Sequence, residues 1–366
     1  MTVADSPQGP HMRIDGCERL AFCSNDYLGL ANDPRLAVAM HEGIDRYGVG
    51  AGSAHLINGH FEPHERLEAE LASWLEVDSV RLFSTGYMAN LGVVGALVGR
   101  GDTVIADRLN HASLVDAAQL SGASLSRYRH NDLDDLERRL ERARGERMVL
   151  TDGVFSMDGD IAPLAELVEL AERYDAWLVV DEAHAFGVMG DAGRGSFEAA
   201  GLVPGERVLR VGTLGKAFGT AGAFVAGAAE PLAVLLQRAR TYLFTTAQPP
   251  ALAEASRAAL VILREEGWRR DHLVDLVVRF REGVANLEDF ELAPSTTPIQ
   301  PIQVGEADRA LAMAEQLDAM GLLVPAIRPP TVPSGSSRLR VTLSAAHEPA
   351  EVDKLLSALR ECTIIR

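Results

Sequence analysis

The stretches WLVVDEAHAFG (177–187) and VLRVGTLGKAFG (208–219) decide how the rest of the chain is read. Each begins as an apolar, β-branched run, the pattern of a strand buried on both faces, and each ends in polar and glycine residues. In an open parallel sheet, ligands collect at the carboxyl ends of the strands. The first run ends at Asp181, with His184 just after it, and the second delivers Lys216 from the turn that follows, so both bring charged side chains to one edge. A lysine there, once it loses a proton, can form a Schiff base. A carboxylate beside a pyridine nitrogen keeps that nitrogen protonated and lets the ring draw electrons from a bound substrate. Taken singly, Asp181 also reads as the cap of a strand-end turn and Lys216 as a solvated loop cation. The flanking Gly212, Gly215 and Gly219 favour the joint reading, because they permit the backbone geometry that a phosphate-bearing ligand needs.

On either side of these stretches, VRLF (80–83), TVIA (103–106), MVLT (148–151) and GAFVAG (222–227) read as further strands, and LAELVELAERY (164–174) has helical spacing. The alternation predicts an α/β fold whose large domain has a mostly parallel central sheet flanked by helices. From Pro249 to about Val284 the pattern is helical throughout. IQPIQV, a helix near Ala310–Met320, LLVPAI, the strand SRLRVTLS and a helix from Pro349 to Arg360 then read as a smaller α+β C-terminal domain. The expected division is an N-terminal segment 1–45, a large ligand-binding domain 46–265, and a linking helix with the small domain 266–366. The Pro-rich IRPPTVPSGSS (327–337) reads as a rigid loop.

With 47% apolar and 24% charged residues over 366 positions, the composition is that of a chain with a large core. Lys plus Arg total 35 against 52 Asp plus Glu, a net charge of −17 that opposes binding to nucleic acid or anionic lipid and leaves an anionic ligand dependent on a local basic patch. Cys17, Cys23 and Cys362 have neither the number nor the spacing of a disulfide framework or a zinc site, so no metal is expected and a reducing cytoplasm fits best. The opening MTVADSPQGPHMRIDG lacks the basic flank and apolar stretch of a signal peptide, and no window approaches a membrane span.

In FSTGYMAN (83–90) a strand ends, Gly86 allows a tight turn, and a helix begins at Tyr87, whose free backbone N–H groups suit phosphate; an ordinary strand–turn–helix join has the same pattern. Three other motifs fail. DEAH (181–184) would need a P-loop, but Arg210 stands where its first glycine belongs and Ala217 follows Lys216. GVGAGS (48–53) has Ser53 in place of the third glycine of a dinucleotide fingerprint and no strand before it. His60 and His64 have the spacing of a zinc protease pair, but Phe61 replaces the glutamate and Pro63 intervenes, so turn or helix-start residues are expected.

CSNDYLGL (23–30), FSTGYMAN, DRLNHASLVDA (107–117), DGVFSMDGD (152–160), VVDEAHAFGVMGDAGRGS (179–196), TLGKAFG (213–219) and FTTAQPP (244–250), in that order, resemble the α-oxoamine synthases. These are fold-type I pyridoxal-phosphate enzymes that condense an amino acid with an acyl thioester and release carbon dioxide. The resemblance runs from about Leu20 to Leu359. Within the family, AIRPPTVPSGSSRLRVTLSAAHE (326–348) is similar to the branch that joins L-alanine to a pimeloyl thioester on the way to biotin; glycine-using sister reactions are the alternative. One departure is the short stretch before CSNDYLGL, where relatives carry a helix with an arginine for the acyl substrate.

The resemblance implies pyridoxal 5'-phosphate held on Lys216, which also moves the substrate Cα proton, with Asp181 on the pyridine nitrogen and His111 stacked on the ring. It puts His184 and Ser156 at the ring oxygen, and Gly86, Tyr87 and Thr213 at the phosphate, with Thr245 or Thr246 reaching in from a second copy. Asn25 and Arg328 would hold the amino-acid carboxylate and Thr331 would line the substrate site. Without that context, His111 reads as a core or capping histidine and Arg328 as a surface cation. The implied assembly is a homodimer with shared active sites. The acidic chain favours coenzyme A over an acidic carrier protein as acyl carrier.

Overall fold

A computed structural model describes residues 2–287 and 290–362. The chain forms two compact units: unit 1 comprises Met1–Asp33, Ser156–Asp160 and Glu266–Arg366, and unit 2 Pro34–Phe155 and Ile161–Glu265.

Unit 1 opens with the hairpin of β1 (His11–Ile14) and β2 (Cys17–Ala21). Unit 2 contains β3 (Ser79–Phe83), β4 (Thr103–Asp107), β5 (Ser124–Tyr128), β6 (Arg147–Asp152), β7 (Ala176–Asp181), β8 (Val208–Thr213) and β9 (Ala223–Gly227). They form one sheet in the order β3-β9-β8-β7-β6-β4-β5. Strands β4 to β8 pair in parallel, and only β9 runs antiparallel to its neighbours β3 and β8. The helices named below are α1 (Pro34–Tyr47), α2 (Glu62–Leu75), α3 (Gly86–Leu97), α4 (Ala112–Ser121), α5 (Leu133–Arg142) and α6 (Leu164–Arg173).

Side chains alternate across a strand, and here both faces find partners. Val104, Met148, Leu150 and Val179 pack with Val93 of α3 and Leu114 of α4. Ile105, Val149, Leu178 and Val180 pack with Leu136 of α5 and Leu167 of α6. Cover on both faces is why these strands lack polar alternation.

Unit 1 continues with β10 (Glu291–Leu292), β11 (Ile299–Gly305), β12 (Leu322–Leu323), β13 (Ala326–Ile327) and β14 (Ser337–Thr342). One antiparallel sheet has the order β10-β11-β14-β13, and β12 instead pairs in parallel with β2. The apolar run LLVPAI thus serves two sheets, split between Leu323 and Ala326 where Pro325 cannot donate to a ladder. The β2–β12 pairing also explains why the chain changes unit at Asp33/Pro34, whereas the sequence treats 1–45 as one segment. No helix among the described residues is long and apolar enough to cross a membrane.

Candidate active site

Strand register builds the centre of unit 2. Parallel pairing of β6 with β7 sets Asp152 opposite Asp181 at the strand ends. Both continue the side-chain series of Leu150 and Val179, so both face α3 and α4. Asn90 of α3 meets them there, its amide donating to Asp181 Oδ2 at 2.7 Å and to Ser113 Oγ at 2.8 Å. The Ala183 N–H donates to the other carboxylate oxygen of Asp181 at 3.0 Å. Asn90, Asp152 and Asp181 are all buried.

The chain of bonds continues through His111, the residue that caps α4. Its backbone N–H donates to Asp152 Oδ2 at 2.8 Å, and its Nδ1 lies 2.7 Å from Ser113 Oγ. Since Ser113 Oγ already accepts from Asn90 and the Ser113 N–H points at the same Nδ1 from 3.3 Å, Nδ1 is the acceptor and the ring proton sits on Nε2. The ring itself is exposed. Burial, and after it the charge of Asp181, push the Asp152 carboxyl well above its usual range, against the opposing pull of the His111 N–H and the Lys216 charge.

After β8 the turn carries Lys216, whose Nζ lies 2.8 Å from Nε2 of the buried His184. Thr213 braces this turn, donating to the Gly222 carbonyl at 3.1 Å and accepting the Gly215 N–H at 3.2 Å. Gly212 is required here, because a Cβ would come within 2.4 Å of Phe224 and 2.6 Å of Phe186. At the start of α3, Thr85 caps the Met88 N–H at 3.1 Å and leaves the backbone of Gly86 and Tyr87 at an open N-terminus, where a Cβ on Gly86 would meet nothing within 4 Å. Tyr87 turns its hydroxyl to Asp116. Among the described residues, neither Thr245 nor Thr246 shares a hydrogen bond with this group.

DEAH thus divides in two. Asp181 bonds Asn90 and His184 meets Lys216, while Glu182 is fully buried, accepting from Ser196 N at 2.9 Å, Ser196 Oγ at 2.6 Å and Arg210 Nε at 3.1 Å. Arg210, in β8, lies between the rings of Phe186 and Phe197.

Unit 1 carries its own polar group. Arg340, in β14, is buried and has no carboxylate partner among the described residues; it donates to the Ser156 carbonyl at 2.6 Å, Thr342 Oγ1 at 3.0 Å and Asn25 Oδ1 at 3.4 Å. A buried guanidinium ringed by neutral acceptors is a place for an anion. Arg328 is exposed and reaches only the Pro329 carbonyl, and Thr331 is an exposed turn residue beside it. Asn25, which the resemblance gives to the amino-acid carboxylate together with Arg328, bonds Arg340. The signal for Arg340 was its place in SRLRVTLS, where it alternates with the apolar Leu339 and Val341 of a buried strand. A second missed signal is compositional: Lys216 and Lys354 are the chain's two lysines.

These residues fit pyridoxal phosphate. An open helix N-terminus suits a phosphate, a buried carboxylate at a strand end suits a pyridinium, and an amine against a buried imidazole suits a carbonyl carbon. The amide oxygen of Asn90, buried beside Asp181, has no hydrogen-bond partner among the described residues, which leaves an acceptor for a further polar group.

The family model for aminotransferase class I and II matches residues 18–359. The chain is 57% identical to 8-amino-7-oxononanoate synthase of Stutzerimonas stutzeri (strain A1501), over 98% of this chain and 92% of that protein. It is likewise 57% identical to the protein of that name from Pseudomonas syringae pv. tomato, over 98% and 91%. Among solved structures, a serine palmitoyltransferase variant from S. paucimobilis with bound PLP–myriocin aldimine superposes with a TM-score of 0.94 at 32% identity, covering 99% of this chain and 92% of that one. An 8-amino-7-oxononanoate synthase from Francisella tularensis superposes with a TM-score of 0.82 at 31% identity, covering 94% and 97%. The fold, the lysine–imidazole–carboxylate group and these likenesses agree, and the chain belongs to the aminotransferase class I and II family, as a pyridoxal-phosphate acyltransferase of its α-oxoamine synthase branch.

Proposed function

We propose that the chain condenses L-alanine with a pimeloyl thioester, releasing carbon dioxide and the free thiol to give 8-amino-7-oxononanoate for biotin. The observation that carries this reading is 57% identity across 98% of the chain to relatives of that name. Residues 326–348 support it from the sequence side.

Bound pyridoxal phosphate supplies the electron sink that makes the amino-acid Cα proton removable. Lys216 would hold the cofactor, and its Nζ would take up that proton from the bound amino acid. His184, 2.8 Å away, orients the amine and shares its proton. Asp181 keeps the pyridine nitrogen protonated, and Asn90 and the Ala183 N–H fix its two oxygens. His111 offers its exposed ring as a stacking face, with the proton held on the outward Nε2 by the Ser113 contact. Gly86 and Tyr87 give backbone N–H groups to the phosphate and Thr213 its hydroxyl. Ser156 serves the ring oxygen together with His184.

In unit 1, Arg340 and Asn25 are the groups for the amino-acid carboxylate, and Thr331 lines the substrate site. Charge and burial favour Arg340 over the exposed Arg328 for this task. The working enzyme is a cytoplasmic homodimer in which Thr245 or Thr246 serves the phosphate of the second copy, and coenzyme A carries the acyl group.

Coenzyme A release from a panel of amino acids and acyl thioesters tests the reading. Alanine with pimeloyl thioester is expected to lead. One methyl group in a pocket is worth about 1–3 kcal/mol, or roughly 10- to 200-fold, so a residual glycine rate is compatible with it. If glycine with acetyl or succinyl thioester is faster, a glycine-using sister such as 2-amino-3-oxobutyrate ligase or 5-aminolevulinate synthase takes its place.

A further inference from the structure

Three histidines gather in unit 2 where the chain leaves a π-helical turn (His55–Gly59) and enters α2. One ring nitrogen from each of His55, His60 and His64 lies within 4.8 Å of the other two. His55 and His64 are buried, His60 is half-buried, and the His55 ring stacks on Tyr242.

Their hydrogen bonds fix where the protons sit. His60 Nε2 faces Glu65 Oε2 at 3.0 Å and His64 Nε2 faces the Gln248 carbonyl at 2.9 Å, and both acceptors require an N–H. Nδ1 of His64 is an acceptor, taking the Phe61 N–H at 3.0 Å, and Nδ1 of His60 meets Nδ1 of His55 at 2.8 Å. A metal-bound histidine typically gives its other N–H to a carboxylate or backbone carbonyl, the arrangement that His60 and His64 have. Glu65 and Glu68 lie within the same reach of His60 and bring negative charge to the cluster.

We propose that His55, His60 and His64 form a binding site for a first-row transition-metal ion of the Zn²⁺ class. Imidazole nitrogens select zinc, copper, nickel or cobalt over calcium and magnesium. Three protein ligands leave a fourth tetrahedral position for water. With metal–nitrogen bonds of about 2.0–2.1 Å, tetrahedral geometry sets neighbouring nitrogens roughly 3.3 Å apart, so the His55–His60 pair must open slightly. His60 can yield because it is half-exposed and precedes the helix. The cost is the Phe61 N–H bond to His64 and displacement of the proton between the His55 and His60 Nδ1 atoms. The site ties the turn to the start of α2.

The test uses tag-free holoenzyme dialysed against chelator and titrated with Co²⁺. The expected result is an intense tetrahedral d–d band that saturates near one ion per chain, is bleached by Zn²⁺, and is lost in both His60→Gln and His60→Asn. The variants' cofactor absorbance should stay as in wild type, and His41→Gln, at an exposed histidine, should keep the band. The weak absorbance of the hydrated ion in the wild-type protein overturns the proposal without recourse to any variant. So does a full band in either folded His60 variant.

Discussion

Asp152 and Asp181 end neighbouring strands in register, and the cost of placing two carboxyl groups there falls on Asp152. Its folded-state pKa is raised, by burial first and the Asp181 charge second, so its contribution to stability is complete below the ordinary carboxyl range and is lost as pH rises through the raised value. Asp152→Asn keeps an acceptor for the His111 N–H and cannot ionise. Its melting temperature should match wild type below about pH 4 and exceed it at neutral and alkaline pH; thermal melts across that range check this, and a variant less stable at every pH would contradict it. Arg340 supplies the other local prediction. A lost charge-assisted hydrogen bond is worth about 1.5–3 kcal/mol, so Arg340→Lys should raise KM for alanine on the order of 10-fold or more, with Arg328→Ala close to wild type. Steady-state kinetics that reverse the two would restore Arg328. Asp181, His184 and Lys216 were legible because each follows a run of apolar residues. Asn90, Ser113 and Asp152 were not, since their meeting depends on strand register and on which face each strand turns to α3 and α4, and neither is written in spacing.

Strands β7 and β8 hold the site in place through the Glu182–Arg210 pair beneath it, both side chains at most 2% exposed. Breaking a buried ion pair from one side leaves an unpaired charge at a cost of about 3–5 kcal/mol. Glu182→Gln is therefore expected to lower unfolding free energy by about that amount in denaturant melts, and Glu182→Gln with Arg210→Met to recover part of it. A neutral effect of the single change would show that the pair is dispensable. Buried parallel strands read well from sequence because cover on both faces forces continuous apolar runs. The polar edge strand SLSRY (124–128) and the hairpin His11–Ala21 gave no such run, as their residues are largely exposed or half-exposed. LLVPAI divides between two sheets for a reason that its composition does not state, namely which partner strand arrives beside each half.

Taken over its whole length, the chain carries its positive charge almost entirely as arginine, with Lys216 and Lys354 the two exceptions. Arginine stays charged and cannot form the Schiff base, so the covalent step has two candidates among the side chains. Lys354 is exposed on the helix Pro349–Glu361 of unit 1, whereas Lys216 is half-buried against His184 in unit 2. Borohydride reduction of the holoenzyme converts a lysine-bound pyridoxal group into a stable secondary amine, which peptide mass spectrometry locates. The pyridoxyl mass is predicted on the peptide containing Lys216 alone; its appearance on Lys354, or on neither lysine, would contradict the assignment of Lys216 as the residue that holds the cofactor.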